Sequence, residues 1–144
     1  MIALGFLISV RINYRICLND ENTIIGQRVV SNKELVHKDL LYGNKIGLLT
    51  VMLSKEVAKR INFPNMHHED YACWLAITRS GVVAQKCSTK LLAYYRKYDN
   101  SLTANKLQSA LWTWNIFRKF EKANIIKSLI YFTGYIFMGL FNKR

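Results

Sequence analysis

Proline occurs once, glycine seven times and cysteine three times in 144 residues, and acidic residues number only nine. So little proline and glycine argues against a collagen-like or linker-like chain. Cys17, Cys73 and Cys87 are odd in number, widely spaced and outside any CxxC or Cys/His zinc pattern. A disulfide framework or structural zinc site is therefore not expected, and a reducing compartment fits. The longest uncharged apolar stretch near the C-terminus, Ser128 to Phe141, falls short of the roughly 20 residues that a membrane-spanning helix needs. MIALGFLISV at the start lacks a basic segment before it and a small-residue cleavage site after it, so it reads as a buried strand rather than a secretory signal. An RNP-like aromatic motif, a zinc finger and a clear recognition helix are also missing, so a nucleic-acid partner is not expected.

Apolar material is plentiful. Hydrophobic residues make up 51% of the chain and charged residues 21%, enough to offset ordering entropy around a single core. The formal charge of +12 favours anionic partners, whether nucleic acid, acidic lipid or phosphorylated small molecules. It is unevenly spread: residues 1–40 hold five basic and four acidic residues, residues 41–105 nine and four, and residues 106–144 seven and one.

RINYRICL and TIIGQRVV, joined by Asn19-Asp20-Glu21-Asn22, predict two strands around a short loop. Ser31 and Glu34 have capping-box spacing and predict a short helix ending near Gly43. Ile46 to Leu53 is an apolar run of strand length, with a short buried helix as the alternative. Ser54 to Ile61 reads as helix, closed by Asn62-Phe63-Pro64. Tyr71, Trp74, Leu75 and Thr78 share a helical face that ends at Gly81. VVAQKC and KLLAYY read as two further strands around Ser88-Thr89. Strands interspersed with helices predict an α/β domain. Leu107, Ala110, Leu111, Trp114 and Phe117 then predict an amphipathic helix entered through Ser101 or Thr103.

Ile125 to Phe141 reads as an interfacial helix, with Lys119, Lys122 and Lys127 at one end, Lys143 and Arg144 at the other, and Trp112, Trp114, Tyr131 and Tyr135 at the boundary. The alternative is a C-terminal helix docked on its own domain or on a partner. Residues 1–105 and 106–144 thus form the two parts of the expected organisation.

His67-His68-Glu69-Asp70 opens a helix directly after a proline-containing loop. A helix N-terminus stabilises a carboxylate, which can then take a proton from an alcohol aligned against it. The competing role is plain capping of the helix. Metal binding is weaker, because adjacent residues cannot all point at one ion and HExxH spacing is absent. Cys73 reads as a buried small hydrophobe.

YGNKIGLLTVML, FPNMHHEDYACWLAITRSG and LLAYYRKYDNSLTANK, in that order, resemble the acceptor-side half of family 2 inverting glycosyltransferases. The resemblance runs over roughly residues 12 to 140. It implies a nucleotide-diphospho-sugar transferase (A-type glycosyltransferase) fold, incomplete here, with added C-terminal helices. It implies Asp70 as the base that deprotonates the acceptor hydroxyl, with Glu69 beside it, in sugar transfer with inversion from a nucleotide-diphosphate donor. Arg96 and Lys106 are candidates for the donor phosphates, since guanidinium grips an oxyanion with two prongs and lysine acts as a point charge. Tyr42, Asn44 and Trp74 are candidates for the acceptor pocket.

Nothing here resembles that family's nucleotide-binding half. The chain has no Asp-x-Asp, and Asp20-Glu21 reads as a solvated turn. The resemblance implies a divalent cation, Mg or Mn, for a complete enzyme, but no ligand for it is identified in this chain. The expectation is a C-terminal half whose N-terminal half lies elsewhere. The implied partners are a nucleotide sugar, a saccharide or lipid-linked acceptor and the membrane surface, and the implied place is the cytoplasmic face of the cell membrane. The competing reading is a noncatalytic membrane-surface protein or an inactive remnant.

Overall fold

A computed structural model of the chain describes residues 7–18, 24–97 and 105–141. Strands β1 (Leu7–Leu18), β2 (Ile24–Arg28) and β3 (Val83–Lys97) form one sheet in the order β2-β1-β3. β1 and β2 pair antiparallel, with Tyr14 opposite Arg28 and Cys17 opposite Ile24. This is the hairpin expected from the β-branched runs; its predicted turn, Asn19 to Asn22, lies outside the described residues. β1 and β3 run parallel, from Leu7 opposite Val83 to Leu18 opposite Lys97. A parallel pair requires a long crossover, and here it contains helices α1 (His37–Leu40), α2 (Lys55–Ala58) and α3 (Glu69–Arg79). The result is the mixed helix and strand architecture expected of an α/β chain.

α3 is the centre of the core. Tyr71, Ala72, Cys73, Trp74, Leu75, Ile77 and Thr78 are all buried, so the helix is enclosed on most of its circumference. Leu40, Ile46, Val57 and Ala84 pack into the same cluster, as do Ile116 and Phe117 from the C-terminal region. Each large apolar side chain so enclosed contributes on the order of 1.5–3 kcal/mol. α3 stops as its sequence predicts: Gly81 takes φ +89°, where a Cβ would be strained, and its N–H donates to Thr78 O at 3.1 Å.

Several local expectations are corrected. Ser31 and Glu34 cap nothing: Ser31 Oγ accepts from Lys33 N–H, Glu34 accepts from the Gln85 side chain, and Leu35 bridges to Ala84 instead. α1 begins at His37, and Asp39 Oδ2 accepts from Val36 N–H at 3.1 Å in the role assigned to Glu34. Ile46 to Leu53 is not a strand but a loop with one 3-10 turn at Leu48–Thr50, because only Ile46 and Thr50 are buried while Leu48, Leu49 and Met52 face out. α2 is shorter than predicted, although Ser54 does cap it through Val57 N–H. The two strands predicted over Val82 to Tyr95 are one, since β3 runs unbroken past Ser88-Thr89 with only shifts in its register against β1.

Helix α4 (Lys106–Asn115) is capped by Asn105, whose Oδ1 accepts from Gln108 N–H at 3.1 Å; Ser101 and Thr103 lie outside the described residues. Its predicted apolar face is turned outward at Leu107 and Leu111, while Ser109 and Thr113 are buried. A π-helical turn, Ile116–Phe120, follows, and its Ile116 and Phe117 lie in the core on the same helical face as Ser109 and Thr113. Helix α5 (Ile125–Phe141) follows and docks through Ser128, Tyr131 and Phe132. Gly134 permits its close approach: a Cβ there would lie 2.5 Å from Tyr42 Cδ1.

The aromatics expected at a membrane boundary are part-exposed and make ring contacts within the chain. Trp112 meets His67 and His68, Trp114 meets Phe132 edge-on, and Tyr131 meets Tyr42 and Phe117. Among the described residues, no helix is long and apolar enough to cross a membrane.

Candidate active site

His68 occupies the N-cap position of α3 at φ +57°, a left-handed backbone that costs a non-glycine residue on the order of 1–2 kcal/mol. Contacts to α4 hold it there. His68 Nε2 hydrogen-bonds Ser109 Oγ at 3.0 Å, and the His67 ring stacks on Trp112 with centroids 4.0 Å apart and planes 16° from parallel. The His68 ring meets the same indole edge-on at 5.4 Å. α4 therefore fixes the turn from which α3 starts.

That turn delivers Asp70 to the first turn of α3, where the helix dipole favours a carboxylate. Asp70 Oδ1 accepts from Tyr71 N–H at 2.7 Å, and Oδ2 accepts from Asn44 Nδ2 at 3.2 Å. Asn44 is itself held, because its Oδ1 accepts from Ile46 N–H at 3.2 Å. Asp70 is half-buried and Glu69 is exposed. Below the carboxylate, burial first and the Asp70 charge second push the Cys73 thiol up to about 11. Tyr71, next to Asp70 in the helix, donates its hydroxyl to Leu40 O at 2.6 Å, and burial raises its phenol far above the ordinary tyrosine range. Neither group can supply a proton acceptor at neutral pH.

Of the residues singled out from sequence, Asn44 and Asp70 are brought into direct contact. Tyr42 is part-exposed but packs edge-on against Tyr131 at 5.8 Å, turning it toward α5. Trp74 does not suit an acceptor pocket: it is 1% exposed, meets Phe63 edge-on, and its Nε1–H is buried without an acceptor among the described residues. Its place is in the core, where the α3 periodicity put it. Arg96 is exposed near the end of β3, and Lys106 is exposed in the first turn of α4. No group of three or more His, Cys, Asp or Glu among the described residues could hold a metal ion, so they do not fit the divalent cation that the resemblance implies. Ser109 and Trp112 are the site residues that sequence reasoning missed in this role. Their contacts span 41 to 45 positions, and no local pattern announces them.

No family model and no solved structure matches the chain. It is 34% identical over 132 residues to an uncharacterized glycosyltransferase of Haemophilus influenzae, covering 92% of this chain and 52% of that protein. It is 31% identical over 116 residues to a glycosyltransferase assigned to teichuronic acid biosynthesis in Bacillus subtilis, covering 80% and 46%. A UDP-Glc:alpha-D-GlcNAc-diphosphoundecaprenol beta-1,3-glucosyltransferase of Escherichia coli matches at 30% identity over 128 residues, covering 89% and 49%. The chain thus spans about half the length of the curated relatives it matches, and those relatives are glycosyltransferases.

Proposed function

We propose that this chain forms the acceptor-side part of an inverting family 2 glycosyltransferase with the A-type fold, and that Asp70 is its catalytic base. The observation that carries this reading is the geometry of Asp70: a carboxylate at a helix start, oriented by Asn44, on a turn braced by α4. Asp70 takes the proton from the acceptor hydroxyl as that oxygen attacks the anomeric carbon in line with the departing nucleoside diphosphate. The bond to the diphosphate breaks as the new glycosidic bond forms on the opposite face, which inverts the configuration. Arg96 and Lys106 supply positive charge for the leaving phosphates, and Tyr42 and Asn44 border the acceptor. Glu69 adds negative potential beside the base.

The similarity to a transferase named for a diphosphoundecaprenol acceptor supports a lipid-linked or polysaccharide acceptor here, and with it a place at the cytoplasmic face of the membrane. The matches do not favour a noncatalytic surface protein or remnant.

The test is Asp70→Asn in the native polypeptide that carries this sequence, with transfer from UDP-glucose to a GlcNAc-diphospho-lipid followed beside donor binding. Turnover should fall by about 10²–10⁴-fold while donor affinity changes little, because the base is lost and the phosphate contacts remain. Near-normal turnover in the variant would refute the assignment of Asp70.

A further inference from the structure

α5 has two apolar faces, and the core cluster takes up one of them. Ser128, Tyr131 and Phe132 face the core. On the opposite side Ile126 is 65% exposed, Leu129 52%, Ile130 53% and Phe137 59%, with the exposed Thr133 between them. Their spacing of three, four and seven residues aligns them in one stripe. A helix docked by one side ordinarily carries charge on the other, so this outward stripe requires a cover.

Charge identifies the cover. Lys119, Lys122 and Lys127 are exposed around the N-terminal end of α5. Glu121, the one acidic residue in 106–144, does not offset them: its side chain is 7% exposed, accepts from Arg79 and pairs with His37 Nε2 at 3.3 Å. Lys143 and Arg144 extend the positive charge at the far end of the sequence. A second copy, itself at +12, would set the same cations against these, whereas an anionic bilayer offers hydrocarbon to the stripe and phosphate to the lysines. At 17 residues α5 falls short of the roughly 20 that a spanning helix needs, so a bilayer would take it in the plane of the surface.

We propose that α5 lies on an anionic lipid bilayer, with Ile126, Leu129, Ile130 and Phe137 inserted below the headgroups and Lys119, Lys122 and Lys127 bound to lipid phosphates. This deepens the membrane location proposed above, yet it is testable without transfer: vesicle binding with an inert Asp70 would retain this inference and overturn the transferase reading.

The experiment is co-sedimentation of the full chain with vesicles of phosphatidylcholine alone or with about one third phosphatidylglycerol. Binding should be about tenfold or more stronger to the anionic vesicles, and Ile126→Asp with Ile130→Asp should lower it by about tenfold or more with an unchanged melting curve. Lys122→Gln with Lys127→Gln should remove the preference for anionic lipid and leave the fold intact. A wild-type chain that stays in the supernatant, or an Asp variant that binds as the wild type does, would overturn the proposal. So would a wild-type dimer that the Asp variant converts to monomer, since the stripe would then be covered by a second copy.

Discussion

At the scale of single residues, what was legible was position: Asp70 stands at the start of α3, in contact with Asn44. Asp70 could be singled out because an acidic pair at a helix start after a proline loop is a local pattern. The side chains that brace it could not, because Ser109 and Trp112 reach His68 and His67 from another helix. Trp74 shows the opposite error: an aromatic suited to sugar stacking is also suited to a core, and burial decided for the core.

Cys73 was read correctly as an interior residue, and its environment makes a prediction. Cys73 is buried and Cys87 exposed. In a chain carrying Cys17→Ser, iodoacetamide at pH 8 should alkylate Cys87 about 10²-fold or more faster than Cys73, which reacts only when the fold opens. Equal rates would contradict the packing of α3. The pH dependence follows from the direction of the shift. Burial lifts Cys73 from 9.0 to about 11, so the folded chain holds this proton more tightly than the unfolded chain does. Its contribution to stability is whole below pH 9.0 and is lost as pH rises toward 11. The stability of Cys73→Ala should therefore decline less steeply than the parent's across that interval in urea melts.

At the scale of elements, α3 and the β1–β2 hairpin were legible because local signals agreed: periodicity, turn residues and stop signals pointed one way. Ile46 to Leu53 failed because a short apolar run carries no period that separates strand, helix and loop. The α4 stripe failed for a different reason. Ser109, Thr113, Ile116 and Phe117, at spacings of four, three and one, form the buried face, and two of its positions are small hydroxyl residues that a search for apolar periodicity passes over. Reading α5 as either interfacial or docked also posed too sharp a choice, since one face docks and the other remains apolar and exposed.

The docking of α5 rests on Gly134, where a Cβ would collide with the Tyr42 ring. Gly134→Ala should therefore destabilise by about 1 kcal/mol, the cost of overpacking exceeding the helical preference for alanine. In a Tyr42→Ala background the collision is gone, and the same substitution should stabilise by about 0.5–1 kcal/mol. A thermal or urea melt series that shows no reversal of sign would mean that α5 does not seat on Tyr42.

At the scale of the whole molecule, the organisation into residues 1–105 and 106–144 follows composition, but packing ties the two stretches together. Ile116 and Phe117 are fully enclosed in the cluster built on α3, and Phe117 meets Tyr71 edge-on at 6.3 Å. Glu121 adds a polar tie, joining the connection before α5 to His37 of α1 and Arg79 of α3. His37 Nδ1 in turn hydrogen-bonds Leu75 O at 3.1 Å, so the same contact network reaches the middle of α3. The helix that carries the outward apolar stripe and the helix that braces the start of α3 thus share one core with α3 itself. Unfolding should then be a single cooperative transition observed alike by far-ultraviolet circular dichroism and tryptophan fluorescence. Phe117→Ala should cost about 3–5 kcal/mol and lower both signals together, because it empties the centre of that core. An early transition confined to the C-terminal helices, with α3 left folded, would show that the two stretches are energetically separate and that α4 does not brace the start of α3.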